Sequence, residues 1–305
     1  MAVALLLPVH PSAQNGSAPV ADTAKGVYRM HLNPAVEKLS KGQPIIGLGA
    51  GELSMANCRA NARLRGYDYV YIDMEHSPFN FEAISQCVAA MVDKEGALRK
   101  GNPAPNVALL ARFPPYGRNT DSNDWIAKQA LDRGLMGVLY NTLETPEQAL
   151  RAVQNMRYPQ MKGSKYQMPP GLRGYGPGDA AWAWGIPTAE YLRHADVWPI
   201  NPDGDLLVIP MIESREGVRN ADKIAATPGI GAIFLASGED LRFAYGADDI
   251  NAPEVEAARQ QVLAACKAHN VACGISTTGR EATDRRLKEG WKMIRTVAGG
   301  SLPPQ

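Results

Sequence analysis

Charge imbalance is what this sequence most lacks. The chain carries 32 Lys plus Arg against 31 Asp plus Glu, a net charge of +1. So balanced a surface exerts no long-range pull on a polyanion, and neither nucleic acid nor an anionic membrane is expected as a partner. Long apolar runs are missing too, and no segment approaches the roughly 20 residues needed to cross a bilayer. Cysteine is scarce: Cys58, Cys87, Cys266 and Cys273 show neither the density nor the paired spacing of a disulfide scaffold or a zinc site, and they read as core thiols. Cys266, His269 and Cys273 are ligands by type. His269, however, falls at a helix end just before a strand, so a metal there is set aside. A small-molecule partner is left as the default.

What is present is enough apolar material for a large core. Of 305 residues 45% are hydrophobic, and one α/β barrel commonly takes about 250 residues. Residues 1–32 stand apart. The short apolar run Ala4 to Val9 and the Gly, Ser, Ala and Pro-rich stretch after it suggest a leader-like or disordered arm, although no basic residue precedes the run. A cytoplasmic enzyme is expected, with export as the alternative if the arm is a remnant signal.

From residue 33 to 305 the chain reads as one domain in which strand and helix signals alternate. Strands are predicted at Pro44–Ala50, Tyr67–Asp73, Asn106–Phe113, Gly134–Asn141, Leu206–Glu213, Gly231–Ala236, Val271–Ser276 and Met293–Ala298. Helices are predicted between them at Phe79–Val92, Thr120–Asp132, Thr145–Met156, Arg215–Ala226 and Pro253–His269. Near-continuous apolar strands separated by helices indicate a parallel sheet covered on its faces, and eight such units close a (β/α)8 TIM barrel. Two irregularities stand out. Residues 160–205 form a long Trp-rich loop, expected to be a lid or a subunit contact that influences acceptor choice. The chain then stops a few residues past the eighth strand, so the final helix is expected to be missing. Pro34–Ser40 would close the barrel floor and a neighbouring subunit would supply the rest of the cover, and a homo-oligomer is expected.

Ionisable residues gather at strand exits. The second strand runs into Asp73, Glu75 and His76, the third ends at Arg112, the fifth at Glu213, and the sixth is followed by Gly238, Glu239 and Asp240. A barrel brings such exits to one rim, where this fold keeps its chemistry. Two carboxylates on adjacent strands suit a hard divalent cation with open positions for water and substrate oxygens. Alternatively, Glu213 and Asp240 cap the helices that follow them. His76 is the candidate acid/base with Asp73 as the partner that orients its ring, against the plainer reading of a structural histidine. Arg112 can pair with Asp73 or Glu75, or aim a permanent charge at a developing oxyanion.

Several blocks in order, Tyr69–Pro78, Ala111–Pro114, Gly171–Gly174, Met211–Gly217 and Pro228–Phe234, resemble the HpcH/HpaI aldolase family of class II, metal-dependent pyruvate aldolases over roughly residues 40–300. The resemblance implies that Glu213 and Asp240 hold Mg²⁺ or Mn²⁺, with Co²⁺ as the alternative. It makes His76 the acid/base with Asp73 beside it, and Arg112 the stabiliser of the enolate oxygen. The backbone of Gly238 and Glu239 would help bind the substrate carboxylate. The implied reaction is reversible aldol cleavage of a 4-hydroxy-2-oxo acid to pyruvate, or a related 2-oxo acid, and an aldehyde. One segment departs from the family pattern: Glu239 stands where a small residue is usual and Arg242 where serine is usual. Rival expectations are an oxaloacetate-type decarboxylase, a CoA-ester lyase, or a non-catalytic 2-oxo acid binding protein.

Overall fold

The computed structural model describes residues 31–114, 117–235 and 238–296. Its strands are β1 Ile45–Gly49, β2 Tyr69–Asp73, β3 Ala108–Arg112, β4 Gly137–Tyr140, β5 Leu207–Pro210, β6 Ala232–Leu235, β7 Ala272–Thr277 and β8 Met293–Thr296. Neighbours pair in parallel in the order β5-β4-β3-β2-β1-β8-β7-β6. Closure comes from bridges of Val208 to Ile230 and Met211 to Phe234, together with the Ile212 N–H donating to the Phe234 carbonyl at 3.0 Å. The result is a (β/α)8 barrel whose strands are apolar because both of their faces are covered.

Alternation along each strand sorts inside from outside. The Tyr140 hydroxyl reaches the Ala152 carbonyl of the outer helix Pro146–Met156, so Tyr140 points outward and Leu139 inward. Register then carries the inward face from Leu139 to Arg112 and Asp73. Inside the barrel Tyr69 lies across Gly47, where an added Cβ would meet its ring at 2.5 Å, and its hydroxyl donates to the Ile294 carbonyl at 3.0 Å. Glycine at position 47 is therefore a requirement of space.

The helices begin where short polar side chains can satisfy free amides. Asn80 caps Phe81–Ala90, Asn119 caps Thr120–Asp132, and Thr145 with Gln148 forms a capping box before Pro146. Pro34–Ser40 is a helix with Ala35, Val36 and Leu39 buried. It seals the strand-entry end through Asn33, whose amide donates to the carbonyls of Asp205 and Met136. Asp205 is itself fully buried and accepts from the Leu32 and Asn33 amides while facing the rings of His31 and His194. The expected arm at residues 1–32 lies outside the described residues up to residue 30, and so does the expected lack of a helix after β8, at residues 297–305.

Two expectations are corrected. Residues 160–205 are not a lid over the strand exits. They join a helix to the start of β5, so the barrel's topology puts them at the strand-entry end. Trp184 accordingly donates to the Gly134 carbonyl just before β4. The segment holds the helices Gly178–Trp184 and Thr188–His194. It is pinned by two buried cations, Arg157 to Asp196 at 2.6 Å and Arg173 to Asp132 at 2.9 Å.

The four cysteines are not all core thiols either. Cys58 and Cys87 form a disulfide with Cα atoms 5.3 Å apart, joining helix Met55–Ala62 to helix Phe81–Ala90. These helices follow adjacent strands and lie side by side on the barrel wall, so a separation of 29 residues in sequence becomes direct contact. Cys266 and Cys273 are buried and free, while His269 faces Asp222 at 2.8 Å. No helix among the described residues is long and apolar enough to cross a membrane.

The bridge sets a quantitative expectation. Denatured without reductant, the protein should titrate two thiols, and four after reduction. Reduction should also lower the folding free energy by about 2–4 kcal/mol in denaturant titrations. Four reactive thiols before reduction would contradict the pairing.

Candidate active site

The strand exits hold an acidic cluster built around one buried guanidinium. Arg112 donates from Nε to Asp73 Oδ1 at 3.1 Å, from Nη2 to Asp73 Oδ2 at 2.5 Å, and lies with Nη1 2.7 Å from Glu75 Oε2. Its side chain is 6% exposed, so the charge is removed from water and answered by two carboxylates in fork geometry. Of the two roles open to it from sequence, pairing with both acids is the one this geometry displays.

Asp73 has a second task. Its Oδ1 accepts from the backbone amides of Glu75 and His76, fixing the turn after β2 as an Asx turn does. The expected contact with the imidazole is not made. His76 Nε2 lies instead 3.4 Å from Glu75 Oε2, because the turn spends the Asp73 oxygens on amides and on Arg112. The His76 side chain is 71% exposed, open to water and to a ligand at the rim. Burial raises the Asp73 pKa, but the Arg112 bonds and the two amides outweigh it and hold this carboxyl below the ordinary aspartate range.

Glu213 sits three residues beyond β5 and is buried. Its Oε2 accepts from the Thr142 amide at 3.0 Å and the Thr142 hydroxyl at 2.9 Å. Thr142 adopts φ 46°, a left-handed conformation rare for a β-branched residue and of the kind that clusters at functional sites. Burial pushes the Glu213 carboxyl above its ordinary range; the Thr142 bond opposes this, and the charges of Asp240 and Glu75 push it further. Burial likewise raises Glu75, with Arg112 and His76 opposing and Asp73 and Asp240 adding to the rise. Carboxylates just beyond β2, β5 and β6 are therefore near enough to feel one another's charge.

Beyond β6, Gly238 is buried with φ 91°, and an added Cβ would meet Arg259 Nη2 at 2.3 Å. Glu239 and Asp240 open the helix Glu239–Tyr245 and are exposed. Glu239 and Arg242, the two departures from the family pattern, pair with each other at 2.7 Å. Among the described residues no group of three or more His, Cys, Asp or Glu is spaced as a complete metal centre. A groove of about 770 Å³ lined by Val107, Met136 and Trp184 lies at the strand-entry end, away from these carboxylates. Glu75 and Thr142 are the site residues that sequence reading underweighted: one sat unassigned between Asp73 and His76, the other carries no motif.

A family model described as HpcH/HpaI aldolase/citrate lyase matches residues 52–301. The chain belongs to that family. Among relatives of the HpcH/HpaI family, it is 27% identical to the hydroxypyruvate/pyruvate aldolase of Paraburkholderia phytofirmans, covering 87% of this chain and 91% of the other. To the 5-keto-4-deoxy-D-glucarate aldolase of Citrobacter koseri it is 30% identical, covering 78% and 79%. The structure also superposes on an HpcH/HpaI aldolase/citrate lyase family protein from Burkholderia cenocepacia with TM-score 0.69 and 29% identity, over 87% and 92% of the two chains. The protein is thus an enzyme, a class II aldolase-like lyase that acts on small molecules.

The electrostatics of Glu213 carry a sign that can be checked. With its folded pKa raised, its contribution to stability is full below the ordinary glutamate pKa of about 4.3 and is lost as pH rises through the folded value. Glu213→Gln should therefore stabilise the chelator-treated protein at pH 7, and this gain should vanish below about pH 4. Denaturant midpoints at the two pH values measure it, and a loss of stability at pH 7 would contradict the repulsion.

Proposed function

We propose that the enzyme catalyses reversible, divalent-metal-dependent aldol cleavage of a 4-hydroxy-2-oxo acid to pyruvate, or a related 2-oxo acid, and an aldehyde. The observation that carries this reading is that Glu213 and Asp240 follow the neighbouring strands β5 and β6 at one rim, near enough that the Asp240 charge helps raise the Glu213 pKa. An all-oxygen donor set with unbalanced negative charge fits a hard cation, Mg²⁺ or Mn²⁺ with Co²⁺ as the alternative. The family resemblance points the same way. Two protein carboxylates leave the remaining positions to water and substrate oxygens.

When bound, such a cation would polarise the 2-oxo acid and help carry the enolate charge as the carbon–carbon bond breaks. The chain's own groups do the rest. Thr142 fixes the Glu213 carboxylate from two donors, so the ligand is oriented before substrate arrives. His76, exposed at the rim and next to Glu75, takes the proton of the 4-hydroxyl during cleavage and returns it during condensation. Arg112 places its positive charge behind Asp73 and Glu75, and its influence on the enolate oxygen is electrostatic. Gly238 and Glu239 would border the substrate carboxylate, with the left-handed Gly238 allowing the chain to turn above Arg259. The buried Cys58–Cys87 bridge favours an oxidising compartment over the cytoplasm as the place where this enzyme works.

Pyruvate release from a 4-hydroxy-2-oxo acid should disappear on chelation and return with Mg²⁺ or Mn²⁺. Glu213→Gln and Asp240→Asn should each abolish this metal-dependent turnover. His76→Ala should lower the rate by about 10²–10⁴ while leaving metal affinity nearly intact. Turnover indifferent to chelator, or equal loss of metal binding in His76→Ala, would contradict these assignments.

A further inference from the structure

One acid at the strand exits has no counterpart in the family pattern. Glu239 opens the helix Glu239–Tyr245, directly before Asp240, where a small residue is usual. The other acids are accounted for: Asp73 and Glu75 share Arg112, while Glu213 and Asp240 suit a cation. Glu239 adds one more negative charge beside the place proposed for the substrate carboxylate. Two like charges so close at a partly dry rim repel each other, and this acid on its own would turn a 2-oxo acid away.

The second departure from the pattern answers the first. Arg242 Nε donates to Glu239 Oε2 at 2.7 Å, and its Nη1 donates to the Ala247 carbonyl at 3.2 Å. Its guanidinium carbon lies 4.2 Å from the centre of the Phe243 ring. Ion pairs three residues apart on a helix are ordinarily weak surface contacts, and Arg219 with Glu216, whose side chains are 63% and 45% exposed, is one of that kind. The Arg242 side chain is only 23% exposed against 50% for Glu239. Ala247 and Phe243 hold its guanidinium as well, so the positive charge stays fixed against the acid.

We propose that Arg242 is the counter-charge that makes an acid at position 239 compatible with an anionic substrate. It acts on the 2-oxo acid through Glu239, cancelling a charge that would otherwise repel the carboxylate. The inference rests on the aldolase reading for the place of that carboxylate. Its consequence has two signs. An uncompensated Glu239 repels an anion and attracts a cation, so loss of Arg242 weakens pyruvate binding and strengthens Mn²⁺ binding. A merely structural lesion would weaken both, because Asp240 stands on the same helix.

The test measures two affinities, Mn²⁺ by electron paramagnetic resonance and pyruvate by calorimetry on protein saturated with Mn²⁺. The proteins are wild type, Arg242→Ser, Glu239→Ala and the double variant Glu239→Ala/Arg242→Ser, which restores the small residue and the serine of the family pattern. Arg242→Ser should raise the pyruvate Kd about tenfold and lower the Mn²⁺ Kd about threefold, and added salt should shrink both changes. Glu239→Ala alone leaves the cation unopposed and should lower the pyruvate Kd about threefold. The double variant should return to within about twofold of wild type, a rescue that a misfolded helix would not give. Three results would overturn the compensation: pyruvate affinity unchanged in Arg242→Ser, Mn²⁺ and pyruvate weakened together, or a double variant as impaired as Arg242→Ser. Any of these with pyruvate still bound by wild type sinks this inference alone. A wild type that binds no pyruvate sinks the aldolase reading, and this inference with it.

Discussion

One buried guanidinium holds the acidic mouth of this barrel together. Asp73, Glu75, Glu213 and Asp240 come together at the ends of three strands, and that much like charge in a half-dry pocket would drive protons on or push the strands apart. Arg112 answers two of the four, bonding Asp73 through a fork and Glu75 through its remaining nitrogen. What is left unneutralised is the pair Glu213 and Asp240, together with a Glu75 whose pKa is still raised. The cluster is thereby divided into a compensated half that shapes the β2 turn and an uncompensated half that suits a cation.

The same division explains the neighbouring details. Asp73, held ionised, can cap the turn that presents Glu75 and His76. Glu213, held unfavourably, is fixed by a threonine whose backbone is itself in a rare conformation. Local strain and charge repulsion at one rim rest on a wall that is mostly apolar, closed and tightly registered. That is the usual relation between a functional site and its scaffold.

Much of the scaffold was readable from residues alone. Parallel strands covered on both faces are continuous apolar runs, which is why all eight lie within the segments read for them, give or take one residue at the end of β7. The sequence also showed which ionisable residues sit at strand exits. It did not show what those residues touch, since Glu75, and not Asp73, lies beside the His76 ring, and Thr142 carries no motif at all. The Cys58–Cys87 bridge escaped notice because contact between neighbouring wall helices has no signature in spacing. The Trp-rich segment was read as a lid or a subunit contact; the lid alternative falls on one topological step, since a link from helix to strand belongs to the strand-entry side.

The central claim is that Glu213 and Asp240 jointly hold one divalent cation against a 2-oxo acid. Its most direct measurement is a Mn²⁺ titration of the purified protein followed by electron paramagnetic resonance, with and without pyruvate. The account predicts one Mn²⁺ per chain, altered in its spectrum by pyruvate, and no such site in the Glu213→Gln/Asp240→Asn double variant. A bound Mn²⁺ that survives in the double variant, or a wild-type protein that binds none, would contradict it.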